Sequence, residues 1–243
     1  MLYKIVLHRC IYIMAYCIFF HVFTVTGQQT TVSKYGVPVI NKFADYQLSV
    51  RNDSAKTMVD LLKFIPGLIL DLRYATTNNF TNRQMYTPAP RRTYLRLPAA
   101  GALAAVQNEL KSKGYGLKIF DAYRPYGVTV RFWELIGDER YVANPAKGSG
   151  HNRGLAVDLT IVELKSRREL DMGTGFDNFT DTAHHSFAGL SPAVLANRKL
   201  LKETMEKHGF NKLETEWWHF FWSNDRGYEV LDLPFNYLLS KSK

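Results

Sequence analysis

Residues 148–160, GSGHNRGLAVDLT, constrain the fold of this chain more than any other short segment. From Leu155 onward, large apolar residues alternate with small or polar ones, and this two-residue period predicts a β-strand. Asp158 therefore lies on the face opposite the large apolar side chains. Gly154 allows the backbone to turn just before the strand, so His151 can come back over the face that carries Asp158. The segment predicts a turn and a strand that bring two metal-ligating side chains together.

A third ligand is needed for a catalytic metal site. An imidazole nitrogen and a carboxylate oxygen both bind Zn²⁺ at about 2 Å, and catalytic zinc sites use three protein ligands and leave a position for water. Beyond residue 27, the other histidines are His184 and His185 in a polar loop, His208 at the end of a predicted helix, and His219. His219 is the best candidate for the third ligand.

Glu216 precedes His219 by three residues in ETEWWHFF and could act as a proton acceptor. In a regular strand, residues three apart face opposite sides of the sheet. Both side chains can serve one site only if the backbone is bulged or turned near Trp217, and we predict such an irregularity. Each short motif alone is more typical of an ordinary hydrogen-bonding pair than of a metal site, and only their joint occurrence favours the metal.

Several further segments carry helix or strand signals. Capping residues, apolar spacing and glycine or proline breaks predict helices over residues 52–67, 97–114, 126–137 and 191–209. Strand signals occur in LILDLRYAT (residues 68–76), LKIFDAYRP (117–125) and LETEWWHFFW (213–222). Because helices are mixed with strands that cluster late in the chain, we predict a single α+β domain with a central, mainly antiparallel sheet flanked by helices. The metal site is expected in a cleft on this sheet.

Residues 1–27 have the features of a cleaved signal peptide. Lys4 and Arg9 precede an apolar run over residues 10–20, and the sequence before Gln28 suits a signal peptidase. The alternative is an uncleaved membrane anchor, but the run is shorter than the roughly 20 residues of a bilayer span. We expect export across the inner membrane, to the periplasm, without a stable membrane anchor. Residues 28–50 carry few periodic signals and are interpreted as an N-terminal extension of a domain over residues 51–243.

Cysteine content and charge limit the function classes further. Cys10 and Cys17 both lie within residues 1–27, so no disulfide is expected in the mature domain. The formal net charge is +9, but the basic residues are dense only in LKSRREL and PRRTYLR. Because no nucleic-acid-binding motif accompanies these clusters, we interpret them as solvated faces and expect no nucleic-acid partner.

Six segments, taken in order, resemble the zinc D-alanyl-D-alanine dipeptidases of the vancomycin-resistance type. They are LRYATTNNF, GYGLKIFDAYRP, SGHNRGLAVDLT, MGTGFD, NRKLL and EWWHF, and the similarity covers the chain from about Leu68 to Pro234. The resemblance implies one Zn²⁺ per chain, a catalytic base, Glu216, and a transition-state partner, Arg124. The zinc ligands that it implies are His151, Asp158 and His219.

The resemblance also implies a substrate pocket. Ser149, Asp177 and Tyr74 match positions that line the dipeptide pocket, with Asp177 meeting the free ammonium group of the substrate. Asp121 matches the carboxylate that holds the guanidinium group of Arg124. Two features depart from the family: Gly150 stands where serine is common, and the segment between Arg124 and His151 is shorter than in the resistance enzymes.

The expected reaction is hydrolysis of the D-Ala-D-Ala dipeptide by metal-activated water, with Glu216 as general base. One alternative is a D,D-carboxypeptidase or endopeptidase that acts on longer peptidoglycan stem peptides with the same metal site. The other is a non-catalytic, zinc-stabilised binding domain. A structural zinc needs neither a base nor a partner for a developing oxyanion, so Glu216 and Arg124 argue against the second alternative.

Overall fold

The computed structural model describes residues 30–223 and 226–239 of the 243-residue chain. The predicted signal peptide, residues 1–27, lies outside the described residues. Within them, no helix has both the length and the apolar character needed to cross a membrane.

The secondary structure is mixed along the chain. The strands are β1 (Thr31–Val32), β2 (Pro38–Ile40), β3 (Met58–Asp60), β4 (Ile69–Leu70), β5 (Tyr94–Arg96), β6 (Tyr115–Asp121), β7 (Ala156–Glu163), β8 (Phe210–Leu213), β9 (Glu216–Trp222) and β10 (Val230–Leu231). The helices are α1 (Phe43–Asn52), α2 (Leu61–Phe64), α3 (Leu97–Ser112), α4 (Tyr126–Ile136), α5 (Gly150–Arg153), α6 (Pro192–Lys207) and α7 (Phe235–Leu239). Short 3₁₀ turns cover Ser54–Lys56, Arg73–Ala75 and Asp181–Ala183.

The central sheet has five strands in the order β4-β6-β7-β9-β8. Strand β4 runs parallel to β6, and the other neighbouring pairs are antiparallel. Strand β7 is buried on both faces: Val157, Leu159 and Ile161 join the main hydrophobic core, and Asp158 points to the other side. The predicted α+β architecture and the predicted alternation in β7 are both confirmed.

Three predicted helices form where the sequence places them. Helix α3 packs its apolar face, including Leu103 and Val106, into the main core. Helix α6 is capped by Ser191, whose hydroxyl accepts a hydrogen bond from the backbone N–H of Val194 at 3.3 Å. Helix α4 follows Pro125 and ends at Gly137, which has the positive φ of 65° that favours glycine.

The predicted helix over residues 52–67 is wrong. This segment forms a 3₁₀ turn, strand β3 and the four-residue helix α2 instead. Asp53 and Asp60 accept hydrogen bonds from the N–H groups of Ala55 and Leu62, so each begins a separate short element. Strand β3 then pairs with β5, and this long-range pairing overrides the local helical spacing. The strand predicted over residues 68–76 is shortened to β4, and a 3₁₀ turn follows it.

The packed part of the chain begins before Asn52. Strand β2 pairs with β1 and with β10, and helix α1 follows it. Ile40 and Tyr46 are buried in a second hydrophobic cluster together with Leu231 and Leu233. The Tyr46 hydroxyl also accepts a hydrogen bond from the N–H of Met58 at 2.7 Å. The segment interpreted as an extension therefore packs against both the early and the late parts of the domain.

Candidate metal centre

Strands β7 and β9 place two of the predicted ligands side by side. Asp158 and His219 are direct partners in this antiparallel pair, so their side chains lie on the same face of the sheet. His151 comes from helix α5, which ends at Gly154 with a φ of 70°. The backbone conformation favours glycine, and a Cβ atom at residue 154 would lie 2.6 Å from the sulfur of Met58, so a larger residue would also require this side chain to move. The turn predicted before β7 brings the third ligand to the same place.

The three side chains that could bind a metal stand at the corners of a small triangle, with one ligand atom from each within 4.8 Å of the others. Nε2 of His151 lies 3.2 Å from Nδ1 of His219 and 3.4 Å from Oδ2 of Asp158, and Nδ1 of His219 lies 2.9 Å from Oδ1 of Asp158. In a tetrahedral site with bonds of about 2 Å, neighbouring ligand atoms are about 3.3 Å apart. The two imidazoles approach different oxygens of Asp158, so these side chains could hold one zinc ion after a small adjustment of this carboxylate, with the fourth position left to a non-protein ligand.

The surroundings prepare these atoms for a cation. Nδ1 of His151 donates a hydrogen bond to the carbonyl oxygen of Ala122 at 2.7 Å, which leaves the lone pair of Nε2 directed at the site. Burial disfavours the ionised form of Asp158, but the two imidazoles outweigh this effect and hold its pKa below the ordinary value. Two imidazole nitrogens and one carboxylate oxygen are a donor set that suits Zn²⁺.

Glu216 lies beside this triangle because strand β9 is irregular. Lys212 pairs with Phe220, but the next residue of β8, Leu213, pairs with Glu216 instead of His219. This register shift is the predicted irregularity near Trp217, and it is confirmed. Oε2 of Glu216 lies 3.9 Å from Nδ1 of His219. Burial raises the pKa of the Glu216 carboxyl to about 7, so it can exchange a proton near neutral pH.

Arg124 follows strand β6 and is held in a fixed orientation. Its Nε and Nη2 atoms lie 2.9 and 2.8 Å from Oδ2 of Asp121, and its guanidinium carbon lies 5.1 and 5.0 Å from the ring centroids of Tyr74 and Phe132, which contact each other. Nη2 also lies 3.8 Å from Oδ2 of Asp158. Burial alone would lower the pKa of Arg124, but the adjacent Asp121 carboxylate raises it well above the ordinary value. Arg124 thus presents a permanent positive charge beside the metal ligands.

The predicted pocket residues line the same cavity as the ligands. This cavity has a volume of about 540 Å³ and is lined by Tyr74, Ser149, Asp177, Glu216 and Arg124, among others, whereas Asp121 lies behind Arg124. The Tyr74 hydroxyl donates a hydrogen bond to Oδ1 of Asp177 at 2.9 Å. Oδ2 of Asp177 is buried and has no hydrogen-bond partner among the residues that the structure describes, and burial raises the pKa of this carboxyl to about 8.

Two residues of the site were not anticipated from the sequence. Tyr86 is fully buried and donates a hydrogen bond to Oδ1 of Asp121 at 2.5 Å. Asn152 donates to the carbonyl oxygen of Arg124 at 2.8 Å and thereby joins helix α5 to the end of β6. Asn152 is adjacent to His151, which could have singled it out, whereas nothing in the sequence around Tyr86 indicates its partner. His184, interpreted only as a polar loop residue, also lines the cavity.

The departure at Gly150 has a local cause. A Cβ atom at this position would lie 2.8 Å from Cβ of Ala156. Contacts this short do not occur between unstrained side chains, so a serine here requires helix α5 or strand β7 to move. Glycine at position 150 therefore allows helix α5, which carries His151, to lie close to strand β7, which carries Asp158.

Comparison with known proteins identifies the family. The family model described as D-ala-D-ala dipeptidase, Peptidase_M15, matches residues 54–236. The chain is 36% identical over 183 residues to the D-alanyl-D-alanine dipeptidase of Escherichia coli (strain K12), an alignment that covers 75% of this chain and 93% of the relative. It is 30% identical over 191 residues to the D-alanyl-D-alanine dipeptidase of Enterococcus faecalis (strain ATCC 700802 / V583), with 71% and 91% covered.

Solved structures give more distant matches. The LdcB LD-carboxypeptidase matches with a TM-score of 0.37 and 25% identity, over 55% of this chain and 61% of that one. The vancomycin-resistance D,D-pentapeptidase VanY, in complex with Zn(II), matches with a TM-score of 0.34 and 16% identity, over 54% and 74%. The match to the family model and the two dipeptidase relatives cover most of the domain that carries the site. The chain therefore belongs to the D-Ala-D-Ala dipeptidase family, Peptidase_M15, and is a metallopeptidase.

Proposed function

We propose that this protein hydrolyses the D-alanyl-D-alanine dipeptide to two D-alanines with one zinc ion bound by His151, Asp158 and His219. The observation that carries the proposal is the cluster of ligand atoms from these three residues, all within 4.8 Å of one another, inside a cavity that also contains Glu216 and Arg124. Membership of the dipeptidase family supports the choice of substrate.

Glu216 is the proposed general base. A Zn²⁺ held by His151, Asp158 and His219 would act as a Lewis acid and would lower the pKa of water to about 7. The carboxylate of Glu216, with a pKa of about 7, then accepts the proton of the attacking water and passes it to the leaving amine. Its separation of 3.9 Å from the His219 ligand atom supports a role beside the metal site and outside the set of ligands.

Arg124 is the proposed electrostatic partner of the transition state. As water adds to the peptide carbonyl, the carbonyl oxygen becomes negatively charged, and a fixed cation stabilises this oxygen more than it stabilises the neutral substrate. Asp121 holds the guanidinium fork through Nε and Nη2, so the cation needs no reorganisation during the reaction. The reaction proceeds without a covalent intermediate.

Asp177 favours a free dipeptide over longer substrates. Its unpartnered buried oxygen can pair with the α-ammonium group of D-Ala-D-Ala, while its other oxygen is held by Tyr74. A stem peptide that ends in D-Ala-D-Ala has a neutral amide at this position and would leave the carboxylate without a partner in the site. Sites that lose a hydrogen-bonding partner in this way discriminate strongly against the wrong substrate. This contact favours dipeptidase activity over D,D-carboxypeptidase or endopeptidase activity.

The test combines metal analysis with rates for three variants. Glu216→Gln should lose about 10²–10⁴-fold in turnover and keep its zinc, because a general base contributes about that factor and is not a ligand. His151→Ala should lose zinc and activity together. Glu214→Gln is the matched control, because this side chain is 52% exposed and pairs with Lys212. Unchanged turnover in Glu216→Gln would refute the assignment of the base.

The choice of substrate has its own test. The wild-type protein is assayed with D-Ala-D-Ala and with the same dipeptide acylated on its amino group. Hydrolysis of the free dipeptide alone is expected. Equal or faster cleavage of the acylated compound would assign the protein to the carboxypeptidase class.

We also propose that the domain acts outside the inner membrane, since residues 1–27 combine a basic start with an apolar run and a suitable cleavage position. Amino-terminal sequencing of the protein from periplasmic and membrane fractions tests this. A mature chain that begins at Gln28 is expected, and an uncleaved chain in the membrane fraction would contradict it.

A further inference from the structure

The segment that carries Asp177 has little regular structure of its own. Between strand β7 and helix α6, the chain forms one 3₁₀ turn, Asp181–Ala183, and an isolated bridge between Val162 and Glu169. Asp177 adopts a positive φ of 59°, a left-handed backbone conformation that is uncommon for residues other than glycine. Such a conformation persists only when the surrounding structure holds it, so other parts of the fold must fix this residue.

Arg198 on helix α6 joins the two ends of this segment. Its Nε donates a hydrogen bond to the carbonyl oxygen of Met172 at 2.7 Å, five residues before Asp177. Its Nη2 and Nη1 donate to the carbonyl oxygens of Thr182 at 2.9 Å and His184 at 3.1 Å, after Asp177. One planar guanidinium group thus closes residues 172–184 into a loop, called the 172–184 loop below.

The environment of Arg198 indicates that this closure is its main role. The side chain is 5% exposed, and within the described residues its hydrogen-bond partners are these three carbonyl oxygens, with no carboxylate at ion-pair distance. Burying a cation without an anionic partner is unfavourable unless its N–H groups are well satisfied. A fork of fixed N–H donors can reach three separate carbonyl oxygens, which an ammonium group on a flexible stem does poorly.

Contacts of neighbouring residues also hold the 172–184 loop in place. Asn197, next to Arg198, donates to the carbonyl oxygen of Asp171 at 2.9 Å. Inside the loop, Nε1 of Trp217 donates to the Thr174 hydroxyl at 2.8 Å, and Phe176 packs on Phe120 with ring centroids 4.9 Å apart. Helix α6 holds the two ends of the loop, and the central sheet holds its middle.

We propose that Arg198 is a positioning residue that closes the 172–184 loop and thereby fixes the Asp177 carboxylate at the place where it binds the ammonium group of the dipeptide. This inference rests on the proposed dipeptidase function and gives the NRKLL segment a role in substrate affinity. Arg198 does not line the cavity and contacts none of the proposed metal ligands. Its replacement should therefore change binding of the ammonium group more than the chemical step.

The first test measures steady-state kinetics of Arg198→Lys and Arg198→Met in the zinc-loaded, full-length protein. Loss of a correctly placed ion pair should raise KM for D-Ala-D-Ala roughly 10- to 100-fold, because hydrogen bonds between charged groups are worth this much. We expect kcat to change by less than about threefold, since the groups that act in the transition state are unaltered. Lys199→Met is the matched control, because this neighbour is 68% exposed.

The second test separates positioning from general stabilisation. N-propionyl-D-alanine has the shape of the dipeptide but no ammonium group, so its binding as a competitive inhibitor does not use the ion pair with Asp177. The Arg198 variants should lose affinity for D-Ala-D-Ala and keep the inhibition constant of this analogue. In the presence of Asp177→Asn, replacement of Arg198 should have little further effect on KM, because both changes remove the same contact. Equal losses of affinity for both compounds and additive effects would overturn the proposal.

A third measurement distinguishes failure of this inference from failure of the proposed function. In Arg198→Met, amide hydrogen exchange should accelerate in residues 172–184 and remain unchanged in strand β7. If the wild type does not hydrolyse D-Ala-D-Ala, the proposed function fails, and faster exchange would still establish the loop closure. If the wild type is active but neither exchange nor KM changes in the variants, the dipeptidase function stands and the role of Arg198 is refuted.

Discussion

The unusual ionisation of Asp177 predicts how a single replacement changes stability with pH. Burial raises the pKa of this carboxyl from 3.8 to about 8 in the folded protein. Between these two values the folded state holds one proton more than the unfolded state, so the free energy of unfolding decreases as pH rises. The destabilisation is complete above about pH 8. Asp177→Asn removes the ionisation and keeps an oxygen that can accept the hydrogen bond from Tyr74.

The size of the effect follows from the shift. One pKa unit corresponds to 1.36 kcal/mol. Over the two pH units between about pH 6 and pH 8, the free energy of unfolding of the wild type can therefore decrease by at most about 3 kcal/mol through this group. Asp177 lines the cavity, where water partly solvates the charge and reduces this value. When the pH is raised from about 6 to about 8.5, we therefore expect the free energy of unfolding of Asp177→Asn to increase by at least about 1 kcal/mol relative to that of the wild type.

Urea unfolding at these two pH values measures the gain. Both proteins are measured without metal, because a bound Zn²⁺ in the same cavity would itself lower the pKa of Asp177, and the pH dependence of the other groups cancels in the difference between them. Asp181→Asn is the control, because this carboxylate belongs to the same loop and is 91% exposed. A stability difference between Asp177→Asn and the wild type that does not change with pH would refute the argument that Asp177 is buried as a neutral acid.

Three further replacements test the parts of the site that hold the ligands and Arg124. Tyr86→Phe removes the hydrogen bond to Oδ1 of Asp121. Because a buried hydrogen bond to a charged group is worth about 1.5–3 kcal/mol, kcat should fall about tenfold or more while zinc is retained. An unchanged kcat would contradict this expectation. Gly150→Ser should lower the free energy of unfolding by about 1–3 kcal/mol through its contact with Ala156, and Ala156→Gly in the same protein should restore part of it, which thermal unfolding measures. Asn152→Ala should lower zinc affinity, measured by competition with a chelator, because helix α5 loses its bond to the Arg124 carbonyl; equal affinity would show that α5 is held without it.

Sequence patterns predicted the elements whose packing follows local periodicity. Helix α6 has a serine cap, helix α3 ends shortly before Gly114, and both have an apolar face. Strand β7 keeps its two-residue alternation although its pairing with β6 contains a register shift. The irregularity in β9 was also predictable, because Glu216 and His219 could serve one site only if the strand departed from its regular geometry. In these elements the local signal and the tertiary structure agree.

Elements that depend on distant partners were not predictable in the same way. Residues 52–67 have helical spacing, but Met58 and Asp60 pair with strand β5, which lies more than 30 residues later. Residues 31–52 show weak periodicity because their burial depends on β10, near the other end of the chain. Contacts between such separated segments determine the structure there, and no local pattern records them.

The candidate site shows the same division. His151, Asp158, Glu216 and His219 stand out because their residue types and spacings suit metal chemistry. Tyr86 and Arg198 instead act through hydrogen bonds to residues that are distant in the sequence or to backbone carbonyls, and neither contact leaves a local motif. Residues that support a site are therefore harder to find from a sequence than residues that bind the metal.

The most direct test of the central claim is X-ray absorption at the zinc edge, combined with metal content, for the purified protein. We expect one zinc per chain, bound by two imidazole nitrogens, one carboxylate oxygen and a further oxygen from water at about 2.0–2.2 Å. The zinc content should fall in His219→Ala, as in His151→Ala, because one of the three protein ligands is removed. A sulfur ligand, fewer than two imidazoles in the wild type, or a zinc signal unaltered by His219→Ala would contradict the account.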